Sequence, residues 1–233
     1  MSILNFQKPN KILLQKADEF DGSFEFKPLE PGFGQTIGNS IRRVLLSSLE
    51  GWAISAVRVA GVEHEFSSIK GVVEDVIDII LNLKQIRLKK LIEDDDSTEE
   101  KIYLTISGQE QFKAGDIESF TNVFKIMNPE HVICNMEPFV SLEMEFIVTK
   151  GRGYVAADEN LPKDAPIGVI PVDAIYTPIK KVAYKIENTR VGQKTDYEKL
   201  TLDIKTDGTI HPEDAVKEAS KILIQHLMLI TDE

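Results

Sequence analysis

Apolar and polar residues alternate along much of this chain, and where the alternation stops they recur at helical spacing. "KILLQKA" (11–17) and "SFEFKPL" (23–29) are the first strand candidates. In the second, Phe24 and Phe26 alternate with Glu25 and Lys27, the period of a half-buried strand. "GFGQTIGNSIRRVLLSSLEG" (32–51) then changes period. At about 100° per residue, Ile37, Ile41, Val44, Leu45 and Leu49 share one face, which predicts a helix with Thr36 as N-cap and Gly51 as stop.

The same order returns near the C-terminus. "KVAYKIE" (181–187) and "KLTLDIK" (199–205) alternate as strands around the turn-rich "NTRVGQKTD". "DGTIHPEDAVKEASKILIQHLMLI" then predicts a helix, with Pro212 at its first position and Glu213 and Asp214 in its first turn. The middle has a different texture. "SLEMEFIVT" turns Leu142, Met144, Phe146 and Val148 one way, and "GVVEDVIDIILNLK" (71–84) carries the only sustained helical pattern there. The fold class predicted is α+β. Residues 1–51 and 179–233 form one discontinuous domain, an antiparallel sheet plus two helices, and 52–178 form an inserted, mostly β domain.

Both terminal helices are more apolar than their own cores require. Leu46 widens the apolar arc of the first to roughly 200°, about twice the stripe of a surface helix, and a strip of Asn39, Arg43 and Glu50 lies beside it. Such a helix is either central in its own domain or meets another subunit. In the last helix Val216, Ala219, Leu223, Leu227 and Ile230 form the expected core stripe. Ile222, Ile224, Met228 and Leu229 take the remaining directions in the final turns, which favours an oligomer interface over a deep core.

Composition narrows the classes. The balance 27 − 38 = −11 disfavours stand-alone nucleic-acid binding. The lone Cys134 excludes an internal disulfide and a cysteine-based zinc site. The first residues show no cleavage pattern, and the apolar runs are too short for a bilayer, so a soluble, intracellular protein is expected.

Candidate chemistry is sparse. Gly32, Gly34 and Gly38 miss the dinucleotide fingerprint because Ile37 sits where the third glycine is needed, and no P-loop lysine follows. They read instead as a turn into a helix whose Gly38 permits close packing. The acidic run Glu93–Asp96 with Glu99 and Glu100 lacks a glycine bend and reads as a solvated loop. His64, His131, His211 and His226 have no ligand spacing, with His226 expected partly buried on the apolar side of its helix. Arg152, in "GRGY", is a candidate contact at a strand end. No nucleophile triad or elbow can be assembled. No catalytic residue, metal or cofactor is expected.

"LEPGFGQTIGNSIRRVLLSSLEGWAI", "GVEHEFSSIKGVVEDVIDIILNLK", "HVIC", "GRGYV" and "TDGTIHPEDAVKEASKIL", in that order, closely resemble the N-terminal domain of the bacterial RNA polymerase α subunit. The resemblance covers nearly the whole chain. It implies a cytoplasmic assembly scaffold that homodimerises through its first and last helices and seats the catalytic β and β′ subunits. On these positions it implies β contact by Arg43, with Leu46 and Asn39 beside it, and weaker large-subunit contact by Lys84 and Arg152. The apolar faces of these two terminal helices then place the expected dimer interface on Ile41, Leu45, Leu223, Leu227 and Ile230. The resemblance leaves the active-site metal and nucleotides on the large subunits, so no catalytic residue falls here. The family's chain continues through a linker into a domain that binds promoter DNA and activators. This sequence stops at Glu233 and reads as a piece of that chain, so direct DNA contact is not expected of it. His211 stands where the family often has an acidic cap, and a neutral imidazole is a poorer partner for the helix dipole. The rival class is a cytosolic homodimeric ligand-binding protein or enzyme with an unrecognised pocket.

Overall fold

The structure, a computed structural model, describes residues 11–91, 97–160 and 166–231. Along it run β1 (Lys11–Ala17), β2 (Asp21–Leu29), α1 (Phe33–Ser47) and β3 (Glu50–Val59). Next come α2 (Val76–Leu83), β4 (Leu88–Lys90), β5 (Glu99–Ser107), β6 (Gln111–Lys113), a 3-10 helix (Ala114–Phe120) and β7 (Phe124–Ile126). They lead into β8 (Val132–Asn135), β9 (Ser141–Arg152), β10 (Tyr154–Val155), α3 (Ala157–Asn160), β11 (Val169–Pro171) and β12 (Ala174–Ile175). The hairpin β13 (Ile179–Val191) and β14 (Lys194–Thr206) then precedes α4 (Pro212–Thr231). The chain divides into two compact units, Met1–Leu49 with Thr177–Glu233, and Glu50–Tyr176.

In the first unit both parts of the chain share one antiparallel sheet, ordered β1-β2-β14-β13. Strand alternation decides its faces. Phe24, Phe26, Leu200, Leu202 and Ile204 point to one side and join Ile41, Leu45, Ala215, Val216 and Ala219 in a single core. The other face is charged: Lys199 Nζ lies 2.7 Å from Glu187 and 4.0 Å from Glu25, which also pairs with Lys27. Helix α1 sits on the apolar face at close range. A Cβ at Gly38 would come within 2.9 Å of Tyr184 and Leu200 side chains, and one at Gly34 within 2.7 Å of Glu198 Oε2. These two glycines, one helical turn apart, bring α1 down onto the hairpin.

The second unit is built on a sheet ordered β5-β9-β3-β4-β7, with β11 also pairing β3. Helix α2 buries Val76, Ile79 and Leu83, spaced for one face, in a core with Phe112, Ile133 and Phe146. Trp52 on β3 meets the Phe124 ring edge-on, and Lys90 Nζ lies 4.6 Å from the Trp52 ring centroid. The first and last strands of this unit lie against one another. A Cβ at Gly51 would be 2.0 Å from the Tyr176 carbonyl oxygen.

Several sequence expectations change. Helix α1 starts at Phe33 after Gly32, whose φ is 87°, and Thr36 lies inside its first turn with Oγ1 donating to the Gly32 carbonyl at 3.2 Å. It ends at Ser47, whose hydroxyl donates to the Arg43 carbonyl (2.8 Å), and Gly51 belongs to β3. The helix expected over 71–84 is confined to 76–83, because Gly71 takes φ 82° and Asp75 is extended. The acidic run at 93–96 lies outside the described residues; Glu99 and Glu100 open β5. His211 does cap α4: its carbonyl accepts from Ala215 N–H at 3.0 Å and its Nδ1 from Glu213 N–H at 3.3 Å. His226 is exposed, with Nδ1 2.7 Å from the Ile222 carbonyl.

Two substitutions test this packing. Gly38→Val forces side chains into the Tyr184 and Leu200 contact, and should destabilise by about 1–3 kcal/mol in denaturant titration. His211→Asp replaces a long imidazole cap by a carboxylate at a helix N-terminus and should stabilise by about 0.5–1 kcal/mol, read as a raised melting temperature.

Candidate functional site

The sequence placed Asn39, Arg43 and Leu46 beside one another, and the helix keeps them so, at spacings of four and three residues. Asn39 and Arg43 are exposed, while Leu46 is half-buried against the unit's core. The two adjacent arginines differ in what they meet. Arg42 Nε donates to the Val182 carbonyl on β13 at 3.4 Å. The Arg43 guanidinium meets no hydrogen-bond acceptor or carboxylate among the described residues. A guanidinium held on a rigid helix with its donors unspent is suited to a carboxylate or backbone carbonyl of a partner. Glu50, expected on the same strip, instead starts β3 in the second unit.

The residues assigned to a dimer interface separate into two groups. Ile41 (5% exposed) and Leu45 (0%) are core residues of the first unit, so they have no surface to offer another chain. The wide apolar arc of α1 is satisfied at home, by the hairpin on one side and α4 on another. Leu223 is half-buried and packs on that core. Beyond it the helix leaves the core: every residue from Ile224 to Thr231 is exposed. Leu227 is 59% exposed, Leu229 79% and Ile230 77%. The core stripe expected along α4 therefore stops near Leu223, and Leu227 and Ile230 belong to an uncovered apolar helix end of roughly two turns, or about 12 Å. Uncovered apolar surface of this kind marks an interaction site.

In the second unit, Lys84 follows α2 and is paired within its own unit. Its Nζ lies 3.1 Å from Asp173 Oδ2, while Asp173 Oδ1 accepts from the Ala157 N–H at 2.9 Å. The Ala157 N–H and then Lys84 hold the Asp173 carboxyl below its ordinary range. Arg152 pairs with Glu50: Nη2 and Nε donate to Oε1 at 2.5 and 3.2 Å. Lys150 is 2.7 Å from the other oxygen, and Lys150 and Arg152 together lower the Glu50 pKa. Lys84 and Arg152 are thus engaged cations, in contrast to Arg43.

Sequence reasoning missed two carboxylates that organise these surfaces. Asp173 is one. The other is Glu198, whose two oxygens accept from the Gly32 and Gly34 N–H groups at 2.9 and 2.8 Å. The glycine-opened start of α1 holds an anion from its own chain. Neither carboxylate has a local signature, because its partners are far away in sequence. Glu198 does carry one faint signal: it occupies the apolar phase of the alternation that continues through Leu200, Leu202 and Ile204.

Residues 57–177 match the family model described as the RNA polymerase Rpb3/RpoA insert domain. Over its full length the chain is 58% identical to the DNA-directed RNA polymerase subunit alpha of Cytophaga hutchinsonii, covering 70% of that relative. It is 57% identical to the subunit of the same name from Bacteroides fragilis, again covering all of this chain and 70% of the relative. The corresponding subunit of Porphyromonas gingivalis is 51% identical over 232 residues, with 70% of its length covered. Identity at this level across both units shows that the chain belongs to the bacterial DNA-directed RNA polymerase α-subunit family.

Proposed function

We propose that this chain works as the non-catalytic assembly scaffold of a bacterial RNA polymerase in the cytoplasm. Two copies join through the distal half of α4, and the dimer then seats the large β and β′ subunits. The observation that carries the reading is the set of exposed apolar residues Ile224, Leu227, Met228, Leu229 and Ile230 at the end of a helix whose first half is packed on the core. A second copy offers the same greasy helix end, and a self-complementary patch is what a two-fold dimer uses. Leu223, Leu227 and Ile230 form its dimer-facing stripe. Ile41 and Leu45 support it indirectly, as the core on which α4 rests.

The β subunit docks on the strip of Asn39, Arg43 and Leu46. Arg43 supplies the directed contact, and half-buried Leu46 adds apolar area at its edge. Lys84 and Arg152 meet a large subunit more weakly. Each has a carboxylate partner already, and exchanging one ion pair for another gains little. The metal and nucleotides of the reaction sit on the large subunits, as the family resemblance implies, so this chain contributes geometry and no chemistry.

Dimerisation is tested by contrasting two leucines. Leu227→Asp should give a folded monomer by light scattering, because the side chain is mostly exposed in the single chain. Leu45→Asp should abolish folding, since burying an unpaired carboxylate costs several kcal/mol, on the order of the whole stability of a domain. A wild-type chain that runs as a monomer at micromolar concentration would refute the interface. For docking, Arg43→Ala should keep the melting temperature and dimer mass yet lose capture of purified β by roughly thirty-fold, about 2 kcal/mol. Arg42→Ala, which loses only a long bond to Val182, should bind β nearly as the parent does. Equal capture by Arg43→Ala and parent would rule out this strip.

A further inference from the structure

Period-two alternation puts residues 198, 200, 202 and 204 of β14 on the same face. Leu200, Leu202 and Ile204 fill the core beneath α1 there, and Glu198 is the one charged member of the series. A carboxylate on the core-facing side of a strand is a local conflict with the hydrophobic pattern, and such conflicts persist where something compensates them. Here the compensation is specific. Oε1 accepts from Gly32 N–H at 2.9 Å, and Oε2 from Gly34 N–H at 2.8 Å. Two of the other early donors of α1 have backbone partners: Phe33 N–H donates to the Glu30 carbonyl and Thr36 N–H to that of Gly32. Glu198 therefore grips the positive end of the helix with both oxygens. The strand pairing is also irregular at this point, shifting between Glu198 and Leu200 against β2. Such irregularities re-aim side chains.

The rest of the seat of α1 is mostly apolar; the other side-chain hydrogen bonds from α1 to the hairpin among the described residues come from two long, exposed side chains, Gln35 Nε2 to the Tyr184 hydroxyl at 2.9 Å and Arg42 Nε to the Val182 carbonyl at 3.4 Å. Gly34 packs toward Ile186, and Gly38 toward Tyr184 and Leu200. Such apolar contacts set how deep a helix lies, but they resist rotation about its axis and sliding along it only weakly, because they have no direction. Two charge-assisted hydrogen bonds accepted by one carboxylate from donors two residues apart do resist both. Arg43 is two to three turns further along, at the end of a long side chain. A rotation of α1 by about 10° would move a group some 6–7 Å from the axis by roughly 1 Å, enough to spoil a bidentate contact.

We propose that Glu198 is a positioning residue for partner capture: its hold on Gly32 and Gly34 fixes the rotation and axial position of α1 and so aims Arg43 at the large subunit. The proposal rests on the reading of Arg43 as the docking residue. Glu198 itself touches no partner.

The test measures capture of purified β by the parent chain, Glu198→Ala, Glu198→Gln, Arg43→Ala and the double variant Arg43→Ala/Glu198→Ala, with dimer mass checked for each. Glu198→Ala should remain dimeric and bind β about tenfold more weakly. Glu198→Gln, which keeps one good acceptor and the same shape, should recover part of that loss. The double variant should bind about as poorly as Arg43→Ala alone, roughly thirty-fold down instead of the roughly three hundred-fold expected of independent sites. A purely structural role would make the losses multiply, which overturns the proposal. Should Glu198→Ala fail to fold, Glu198→Gln decides: binding within two-fold of the parent overturns it, and an intermediate loss supports it. An Arg43→Ala chain that captures β like the parent overturns the docking assignment, and the aiming role falls with it. A Glu198→Ala dimer that captures β normally, beside an Arg43→Ala chain that does not, overturns the positioning role alone.

Discussion

The contact between α1 and the β13–β14 hairpin is the constraint on which the first unit depends. It joins parts of the chain far apart in sequence. The Gly34–Glu198 hydrogen bond spans 164 positions, and the Ser23–Asp203 bond between β2 and β14 spans 180. Without that seat α1 would be a free amphipathic helix, and β2 would lack its neighbour β14. The glycines allow the close approach, the leucines and isoleucines supply the energy, and Glu198 supplies direction. Because α1 is satisfied by its own unit, its outward strip is free for other work.

That division of labour repeats in α4. The first half of the helix, with Ala215, Val216 and Ala219 buried, belongs to the unit that makes it. The second half continues the same apolar chemistry with nothing beneath it among the described residues. A helix that outruns its core makes stability and association separable, because changes at one end need not disturb the other. The cations show a related contrast. Lys84 and Arg152 are spent on carboxylates of the second unit, whereas Arg43 meets no such partner among the described residues.

Much of this was legible in the sequence. Alternation located β2, β9, β13 and β14, and the period of 3.6 located α1 and α4, since long, strongly patterned segments carry their own signal. The α+β class followed from their order. Boundaries were less legible: Thr36 looks like a cap, but Gly32, with its positive φ, starts the helix. The candidate site divided along the same line. Spacing alone put Asn39, Arg43 and Leu46 together. Spacing could not show that Ile41 and Leu45 face inward while Leu227 and Ile230 do not, because a helical wheel records direction and not what stands in that direction. Glu198 and Asp173 were invisible for the same reason. Their roles are defined by partners that only the folded chain brings near.

The near-touching ends of the second unit bear on the order of events during synthesis. Gly51 and Tyr176 lie in backbone contact, so this unit, once folded, closes a long loop before β13 and β14 exist. At roughly 5–20 residues per second, the ribosome takes about 6–25 s to make it, longer than many β-rich domains need to fold. When the hairpin emerges, β2 and α1 wait at the end of a short effective tether instead of a chain more than three times as long. By loop-closure entropy the saving is only about 1 kcal/mol. The larger gain is that the exposed edge of β2 spends less time searching for its partner beside nascent copies of the same strand.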